Sequence, residues 1–260
     1  MTTAQRVPLI NTFIVGVMKS GTTSLARLLS KHPDICLCKG KEAHIFDKPK
    51  WQDATVPDDV VADMFPSFRG QKVVLDATPI YIFAPGALEA ILRYNPASRF
   101  ILILRSPVDR TISHYGHSVN AGGEKRSLLA ALLLERWRLW RESKKRRIGT
   151  MFRNRSYVSR SLYFRQVTHL LSLTDQVLFI NFRDLVSQTH ETVERICDFM
   201  GIPANQVDAE LPILNSSALT KSFRLERAVL AMRFYRDTRK TERLLGWPKH
   251  SLASRRTAGR

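Results

Sequence analysis

The apolar residues of this chain are concentrated in short uninterrupted runs, separated by longer stretches in which apolar residues recur every three or four positions. Four of these runs, each bounded by turn or polar residues, cover residues 11–16, 72–75, 99–104 and 176–180. Uninterrupted apolar runs of this length are typical of strands that are buried on both faces of a sheet. We therefore predict a buried strand at each of them.

The intervening stretches have the spacing of amphipathic helices. They cover residues 22–32, 85–94, 107–120, 127–143, 160–173, 188–200 and 221–245. Strands that alternate with helices favour an α/β fold with a mostly parallel sheet and helices on both faces. Because no repeat or linker divides the chain, we predict a single domain over residues 1–260, with flexible tails at 1–10 and 250–260.

Composition narrows the class of protein. The chain has 260 residues, of which 44% are hydrophobic, enough for a sizeable core. No apolar run approaches the roughly 20 residues of a membrane-spanning helix, and the first residues lack the pattern of a secretory signal, so we expect a cytoplasmic protein without a transmembrane segment. Three cysteines, Cys36, Cys38 and Cys197, fit a reducing compartment. The net charge of +18 indicates an anionic partner.

The segment FIVGVMKSGTTSLARL, at residues 13–28, places a glycine-containing loop between a predicted strand and a predicted helix. Such a loop binds an oxyanion through its backbone N–H groups and the positive end of the helix dipole. Compared with the pattern G-x-x-x-x-G-K-[ST], both glycines and the final Thr are present, but the cation is Lys19, inside the loop. This displacement argues against a P-loop kinase using ATP–Mg²⁺ with Asp76 as its acidic strand end, which is one alternative; an ordinary glycine turn is another. The candidate anion-binding residues are Lys19, Ser20, Gly21, Thr22, Thr23 and Ser24.

The loop resembles the 5′-phosphosulfate loop of sulfotransferases that depend on 3′-phosphoadenosine 5′-phosphosulfate (PAPS). A second segment, RFILILRSPVDRTISHY at residues 99–115, is similar to the 3′-phosphate motif of that family. The resemblance implies that Arg105 and Ser113 hold the 3′-phosphate of PAPS, and that Arg110 is a supporting or exposed charge. Without the resemblance, the favoured interpretation of an arginine at the end of a strand is a surface salt bridge.

A third segment, KGKEAHIFDK at residues 39–48, carries a carboxylate close to an imidazole. In an extended stretch alternate side chains share a face, so we expect Glu42 and His44 to point the same way and to form a general-base pair. A solvated charged loop is the alternative. The pattern E-x-H-x-x-D resembles the heparan-type sulfotransferases and their bacterial relatives. That resemblance implies that Glu42 is the base and that His44 and Asp47 orient it or the acceptor.

The resemblance covers about residues 11–200, and it includes residues 159–163 and 177–185. Residues 216–226 lie where the family has a loop that closes over the nucleotide, which makes Lys221 and Arg224 candidates for nucleotide contacts. One departure concerns the motif E-K-T-P of heparan-type relatives, because this chain has Asp76-Ala77-Thr78-Pro79. Ala77 cannot supply the cation, so either Lys19 acts alone on the leaving sulfonate or the acceptor chemistry differs.

The resemblance implies a sulfotransferase fold and in-line transfer of the sulfuryl group from PAPS to an acceptor. The group that receives it is a hydroxyl, with an amine as the weaker alternative. The acceptor is a small molecule, a lipid or a glycan, and is itself anionic or neutral. Glu42 takes the acceptor proton, while Lys19 and the loop N–H groups offset the charge that grows as the product PAP leaves. We expect no metal, because Cys36 and Cys38 lack the spacing of a zinc site and no His-rich cluster accompanies them.

Residues 136–155 hold nine Lys/Arg and one acidic residue, interleaved with Trp137 and Trp140. This segment fits a docking surface for an anionic acceptor, a nucleic-acid patch or an interfacial helix on acidic lipid, or simply a solvated helix face whose tryptophans pack inward. A basic nucleic-acid-binding module is thus the alternative outside the enzymes. No nucleic-acid reading motif accompanies the charge, so we expect no specific nucleic acid. Peripheral membrane contact and a homodimer are left open, and the absence of a signal favours a bacterial enzyme.

Overall fold

A parallel sheet forms the centre of the fold. The computed structural model describes residues 7–143, 155–204 and 223–254. In this part of the chain the sheet has five strands in the order β2-β3-β1-β4-β5, with every neighbouring pair parallel. The predicted α/β class and parallel sheet are thereby confirmed. The strands are β1 (Thr12–Gly16), β2 (Ile35–Leu37), β3 (Val73–Asp76), β4 (Arg99–Leu104) and β5 (Val177–Asn181).

Helices connect the strands. The 3₁₀ turns are Pro49–Trp51 and Ser159–Ser161. The α-helices in the described ranges are α1 (Thr22–Leu29), α2 (Asp58–Met64), α3 (Ala87–Tyr94), α4 (Pro107–Asn120), α5 (Leu128–Ser143), α6 (Tyr163–Leu173), α7 (Phe182–Ser187), α8 (Thr189–Met200) and α9 (Arg224–Leu244).

Most predicted elements form near their predicted bounds, and the differences have local causes. Strand β2 was not predicted because its three residues are too few to show a pattern. Helix α1 ends three residues before the predicted bound, since His32 turns to accept the N–H of Asp34 and Pro33 follows it. The helix predicted at 160–173 begins at Tyr163 because a 3₁₀ turn precedes it.

Both faces of the sheet are covered. On one face α1, α7 and α8 share an apolar cluster with the strands, to which Ile14 and Ile101 contribute. On the other face Phe13 stacks on Phe100 with ring centroids 6.0 Å apart, and Tyr94 of α3 approaches Phe46 at 5.3 Å. Because all strands are parallel, the loops that follow β1, β2 and β3 leave the sheet at the same edge.

The chain packs as two compact units. The first comprises Met1–Leu104 and Leu170–Leu214 and contains the whole sheet; the second comprises Arg105–His169 and Asn215–Arg260. The second unit has its own core, to which α4, α5 and α9 contribute Ile112, Ala131 and Phe234. Near the two ends of the described chain, Ile10 and Leu252 are buried. Among the described helices, none combines the length and the apolar character needed to cross a bilayer.

Candidate active site

The loop between β1 and α1 spans residues 17–21. Lys19 and Gly21 have left-handed backbones, with φ of 71° and 77°, and the N–H of Ser20 donates to the carbonyl of Val17 at 3.2 Å. No side chain caps α1. The N–H groups of the first turn of a helix have no partner within the helix and lie at its positive end. The loop therefore places backbone N–H donors at the N-terminus of α1, where an anion can bind.

The two glycines of the loop motif, Gly16 and Gly21, are required for different structural reasons. A Cβ on Gly16, the last residue of β1, would lie 2.6 Å from Cγ2 of Ile82 and 2.8 Å from Cδ1 of Leu102. Gly21 has a positive φ, and a Cβ there would also lie 3.0 Å from Cε2 of Phe182. The glycines thus allow close packing at the end of β1 and a tight turn into α1.

The side-chain hydroxyl of Ser20 is a hydrogen-bond donor in this loop that has no protein partner. Its side chain is fully buried, and Oγ has no hydrogen-bond partner in the structure. Buried hydroxyls are normally paired, so an unpaired one is available to a water, an ion or a ligand. Around it, Thr22 and Ser24 are buried, while Lys19 and Thr23 are partly exposed. The loop therefore combines one cation, several hydroxyls and backbone donors, a donor set that suits a phosphate or sulfate oxygen.

Glu42 lies in the loop that follows β2, between two cationic side chains. Its Oε1 is 2.7 Å from Nζ of Lys41, and its Oε2 is 3.1 Å from Nε2 of His44. On the other side of the imidazole, Nδ1 is 3.1 Å from Oδ2 of the buried Asp47. The four side chains form a chain of alternating charge, in which each carboxylate contacts a cation.

These contacts shift the ionisation of both central groups. Burial alone would raise the pKa of Glu42, but hydrogen bonds and charges from His44 and Lys41 outweigh it and lower that pKa to about 2. Hydrogen bonds to Asp47 and Glu42 raise the pKa of His44 to about 9, against the opposing effect of burial. At neutral pH Glu42 is therefore a carboxylate and His44 an imidazolium, which excludes His44 as a resting base.

The loop of Glu42 is anchored to the end of β3. Buried Asp76 accepts hydrogen bonds from Thr78 Oγ1 at 2.6 Å, from the Tyr81 hydroxyl at 2.8 Å and from the N–H of Ala43 at 3.2 Å. The Tyr81 oxygen in turn accepts the N–H of Ile45 at 3.0 Å. Burial of Asp76 raises its pKa, and these donors act against that. Asp76 thus positions the loop, and its oxygens are already engaged by protein donors.

The side chains of Glu42 and His44 meet, but not for the predicted reason. The stretch was expected to be extended, with alternate side chains on one face. Instead Lys41 and His44 have φ of 77° and 51°, so the loop is curled. Such conformations are costly for residues other than glycine and persist only where the surroundings hold them. Here the contacts of Asp76 and Tyr81 hold them.

The 3′-phosphate candidates belong to the second unit. Arg105 directly follows β4 and is partly buried, and burial lowers its pKa; its carbonyl accepts the hydroxyl of Tyr163 at 3.0 Å. Ser113 lies in α4 and is partly exposed. Arg110 is fully buried and donates to Ser161 Oγ at 2.6 Å and to the carbonyl of Tyr157. Arg110 is therefore a supporting residue, and the suggestion that it is exposed is wrong.

Two residues near α9, Lys221 and Arg224, were candidates for nucleotide contacts. Lys221 lies outside the described residues, and Arg224 is an exposed residue at the start of α9. One turn later, Arg227 Nη1 contacts Asp109 Oδ1 at 2.7 Å and Ser254 Oγ at 2.9 Å. Its charge also acts on Arg105. Sequence reasoning missed Arg227, since no motif marks it, and missed Lys41, although that residue adjoins the proposed base.

Helix α5 corrects one interpretation of the basic segment. Its inward positions are taken by Leu128, Ala131, Glu135 and Arg138, and Arg138 pairs with buried Glu124 at 2.6 Å. Trp137 and Trp140 are therefore exposed, and the alternative in which they pack inward is wrong. Residues 144–154 of the segment lie outside the described residues.

No group of three or more His, Cys, Asp or Glu within the described ranges has an arrangement suited to a metal ion. The cysteines are free and buried, and Cys38 Sγ donates to the carbonyl of Lys41 at 2.6 Å. In this part of the chain they thus act as packing residues and as one support of the Glu42 loop.

Known sulfotransferases are similar to this chain in sequence and in fold. The chain is 28% identical over 196 residues to the human (Homo sapiens) heparan sulfate glucosamine 3-O-sulfotransferase 6, covering 73% of this chain and 51% of that protein. It is 33% identical over 114 residues to the membrane-associated sulfotransferase kil1 of Dictyostelium discoideum, covering 42% and 23%. The chain thus spans about half or less of the length of these curated relatives. A crystal structure of a sulfotransferase from Alicyclobacillus acidocaldarius superposes with a TM-score of 0.78 at 27% identity, covering 95% of this chain and 100% of that one.

The sequence model of the sulfotransferase domain matches residues 9–224, which is most of the chain and includes both the loop of Lys19 and the loop of Glu42. By this match the chain belongs to the sulfotransferase domain family.

Proposed function

We propose that this chain transfers a sulfuryl group from PAPS to a hydroxyl group of an acceptor, with Glu42 as the general base. The observation behind the proposal is that two loops leave the sheet at the same edge, because they follow parallel strands. The loop after β1 carries Lys19 and the unpartnered hydroxyl of Ser20, and the loop after β2 carries the ionised Glu42. One offers donors for an anion, and the other offers a proton acceptor.

The segment after β3 contacts both the end of β1 and the loop of Glu42. The N–H of Ile82 donates to the carbonyl of Val15 at 3.1 Å, and the N–H of Ala77 donates to the carbonyl of Lys41 at 3.1 Å. Residues 77–82 therefore touch both the end of β1 and the loop of Glu42. This arrangement supports a shared site for the donor sulfonate and the acceptor hydroxyl.

The residues present fit the 5′ end of PAPS. Lys19, Ser20, Gly21, Thr22, Thr23 and Ser24 supply a cation, hydroxyls and backbone donors for its phosphosulfate. The buried hydroxyl of Ser20 has no protein partner and suits an oxyanion. For the 3′-phosphate we propose Arg105 and Ser113, and as weaker candidates Lys221 and Arg224. An arginine suits that role because its guanidinium binds phosphate in a bidentate manner.

When bound, PAPS supplies an activated sulfuryl group, whose bond to the phosphate oxygen breaks as the acceptor oxygen bonds to sulfur. Glu42 accepts the proton of the acceptor hydroxyl at a carboxylate oxygen. Lys19 and the N–H groups of α1 stabilise the negative charge that develops on the departing phosphate. With a pKa of about 2, Glu42 is a weak base. The proton therefore moves late, after the new bond to sulfur has acidified the hydroxyl.

Thermal shift with PAP against ADP–Mg²⁺ tests the nucleotide part of the proposal. We expect PAP alone to stabilise the protein, by about 2.7 kcal/mol at a hundred times its dissociation constant. Lys19→Ala should reduce this shift, whereas Lys31→Ala, an exposed lysine beyond α1, should leave it unchanged. Equal stabilisation by ADP–Mg²⁺ would favour the kinase alternative.

Incubation with labelled PAPS and a panel of hydroxylated metabolites, lipids and glycans tests the transfer itself, by a mass gain of one sulfonate. Glu42→Gln should lower the turnover number by about 100- to 10,000-fold, the usual contribution of a general base, while the PAP shift is retained. A Glu42→Gln enzyme as fast as the wild type would rule out the base assignment.

We further propose that the acceptor is a small molecule, lipid or glycan, and that the enzyme acts in the cytoplasm. The three cysteines support a reducing compartment, because all are free. The exposed apolar and basic side chains of α5 support peripheral contact with acidic lipid. A homodimer stays an open prediction, to be tested by light scattering.

A further inference from the structure

The cation missing at position 77 raises the question of which residue replaces it. Ala77 is buried and stands where the motif E-K-T-P has its lysine. Its N–H donates to the carbonyl of Lys41 at 3.1 Å, so the backbones of residues 41 and 77 lie side by side. A lysine is therefore present next to position 77, although it comes from a different loop.

The backbone of Lys41 is held in a specific conformation. Its φ is 77°, its N–H donates to the carbonyl of Cys38 at 2.9 Å, and its carbonyl accepts from both Ala77 N–H and Cys38 Sγ. A positive φ at a residue other than glycine is unusual and indicates that the surroundings impose it. The turn thus aims one side chain in a fixed direction.

The side chain of Lys41 is directed at the carboxylate of Glu42. Nζ lies 2.7 Å from Oε1, and only 10% of the Lys41 side chain is exposed. By contrast Lys39, two residues earlier in the same loop, is exposed. Because the ammonium is largely shielded from water, its attraction to the carboxylate is stronger than that of a surface pair.

We propose that Lys41 is the positioning residue of the base: from the loop after β2 it supplies the ammonium that Ala77 cannot, and with His44 it holds both oxygens of Glu42 in one orientation. This inference rests on the proposed function, in which Glu42 takes the acceptor proton. It assigns the missing cation to a residue beside the base, so Lys19 does not act as the only cation of the site.

Fixing both oxygens has a chemical consequence. The two cations keep Glu42 ionised, and they restrict its rotation, so the acceptor hydroxyl can reach only the lone pairs that Lys41 and His44 leave open. When the proton arrives, Glu42 becomes neutral and both cations lose an anionic partner. The protonated state is therefore short-lived, and Glu42 returns the proton to solvent after transfer.

The test compares Lys41→Met, Lys41→Arg and the matched control Lys39→Met. One readout is the titration of the Glu42 carboxyl by carbon NMR without nucleotide; the other is the pH profile of the turnover number. We expect Lys41→Met to raise the pKa of Glu42 from about 2 and to move the acid limb of the profile to higher pH. Turnover should fall about 10- to 100-fold, the equivalent of one hydrogen bond to a charged group. PAP stabilisation should be unchanged.

Lys41→Arg should restore most of the turnover, and Lys39→Met should match the wild type. If Lys41→Met behaves like Lys39→Met in both readouts, the inference is wrong. It is also wrong if turnover falls without any change in the Glu42 titration, because that result indicates a merely structural role. If the wild type transfers no sulfuryl group but Lys41→Met still raises the pKa of Glu42, then the proposed function fails and the pairing stands.

Discussion

At the scale of single residues, the central feature is the pair of Glu42 and His44. Each shifts the pKa of the other, because a carboxylate and an imidazolium in contact favour the charged form of both. The hydrogen bond to Asp47 has the largest effect on the pKa of His44, and Lys41 adds to the effect of His44 on the pKa of Glu42. The pair is therefore an ion pair at neutral pH and not a neutral acid beside a neutral base.

This ion pair predicts a pH dependence of stability. The folded pKa of His44, about 9, lies above the unfolded value of about 6.5, so protonation stabilises the fold fully below pH 6.5 and the contribution is lost as the pH rises through 9. We expect the difference in unfolding free energy between the wild type and His44→Gln to shrink between pH 6 and pH 9.5, as followed by urea denaturation. A constant difference over that range would contradict the assigned charge.

A direct titration checks the same charge. Proton NMR should show His44 titrating near pH 9 in the wild type. In Glu42→Gln the midpoint should fall, because one of the two anionic partners becomes neutral, but it should stay above 6.5 because Asp47 is retained. A wild-type midpoint near 6.5 would show that the imidazole is not held between two carboxylates.

At the scale of elements, the end of β3 decides where the Glu42 loop lies. The Tyr81 hydroxyl joins Asp76 to the backbone of Ile45, so Tyr81→Phe leaves two buried groups without their partner. We expect a loss of about 1–3 kcal/mol in unfolding free energy. Turnover should fall further than PAP binding does, because the change loosens the loop of the base and not the loop of Lys19.

Tyr235→Phe is the matched control for that change, since Tyr235 is an exposed residue of α9. It should alter neither stability nor turnover. Should Tyr81→Phe prove as stable and as active as Tyr235→Phe, the anchoring role of Asp76 and Tyr81 would have to be abandoned.

Some helices and strands could be predicted from the pattern of apolar residues, and others could not. Helix α4 was predicted with its observed bounds, because Pro107 starts it and a regular apolar spacing runs to its end. Strand β2 and helices α2 and α7 were missed, since segments of three to seven residues carry too little pattern. The curl at Lys41 and His44 could not be predicted at all, because distant residues after β3 impose it.

At the scale of the whole molecule, the charge of +18 exceeds what the nucleotide candidates account for. Helix α5 exposes Leu133, at 74%, and Trp137, beside Arg141, whose guanidinium lies 4.8 Å from the Trp137 ring. Apolar and aromatic side chains beside basic ones are typical of helices that bind at the surface of acidic membranes.

Vesicle sedimentation tests this surface. The wild type should bind vesicles containing phosphatidylglycerol at low salt, should bind less as salt screens the charges, and should not bind pure phosphatidylcholine. The double change Leu133→Ser and Trp137→Ser should weaken binding, whereas Leu225→Ser and Met232→Ser, exposed residues of α9, should not. Equal binding by both double variants, or none by the wild type, would contradict lipid contact.

The sequence by itself determined the α/β class, the strand–loop–helix with Lys19 displaced into the loop, and the resemblance to sulfotransferases. These are local properties, because runs of apolar residues and short motifs act through neighbouring positions. Only the tertiary structure decided that Lys41 and His44 contact the two carboxylate oxygens of Glu42. It also decided that Asp76 and Tyr81 anchor the loop of Glu42, and that the hydroxyl of Ser20 lacks a protein partner. Those contacts join residues far apart in the chain, and burial, which sets their strength, depends on how the whole sheet and its loops pack.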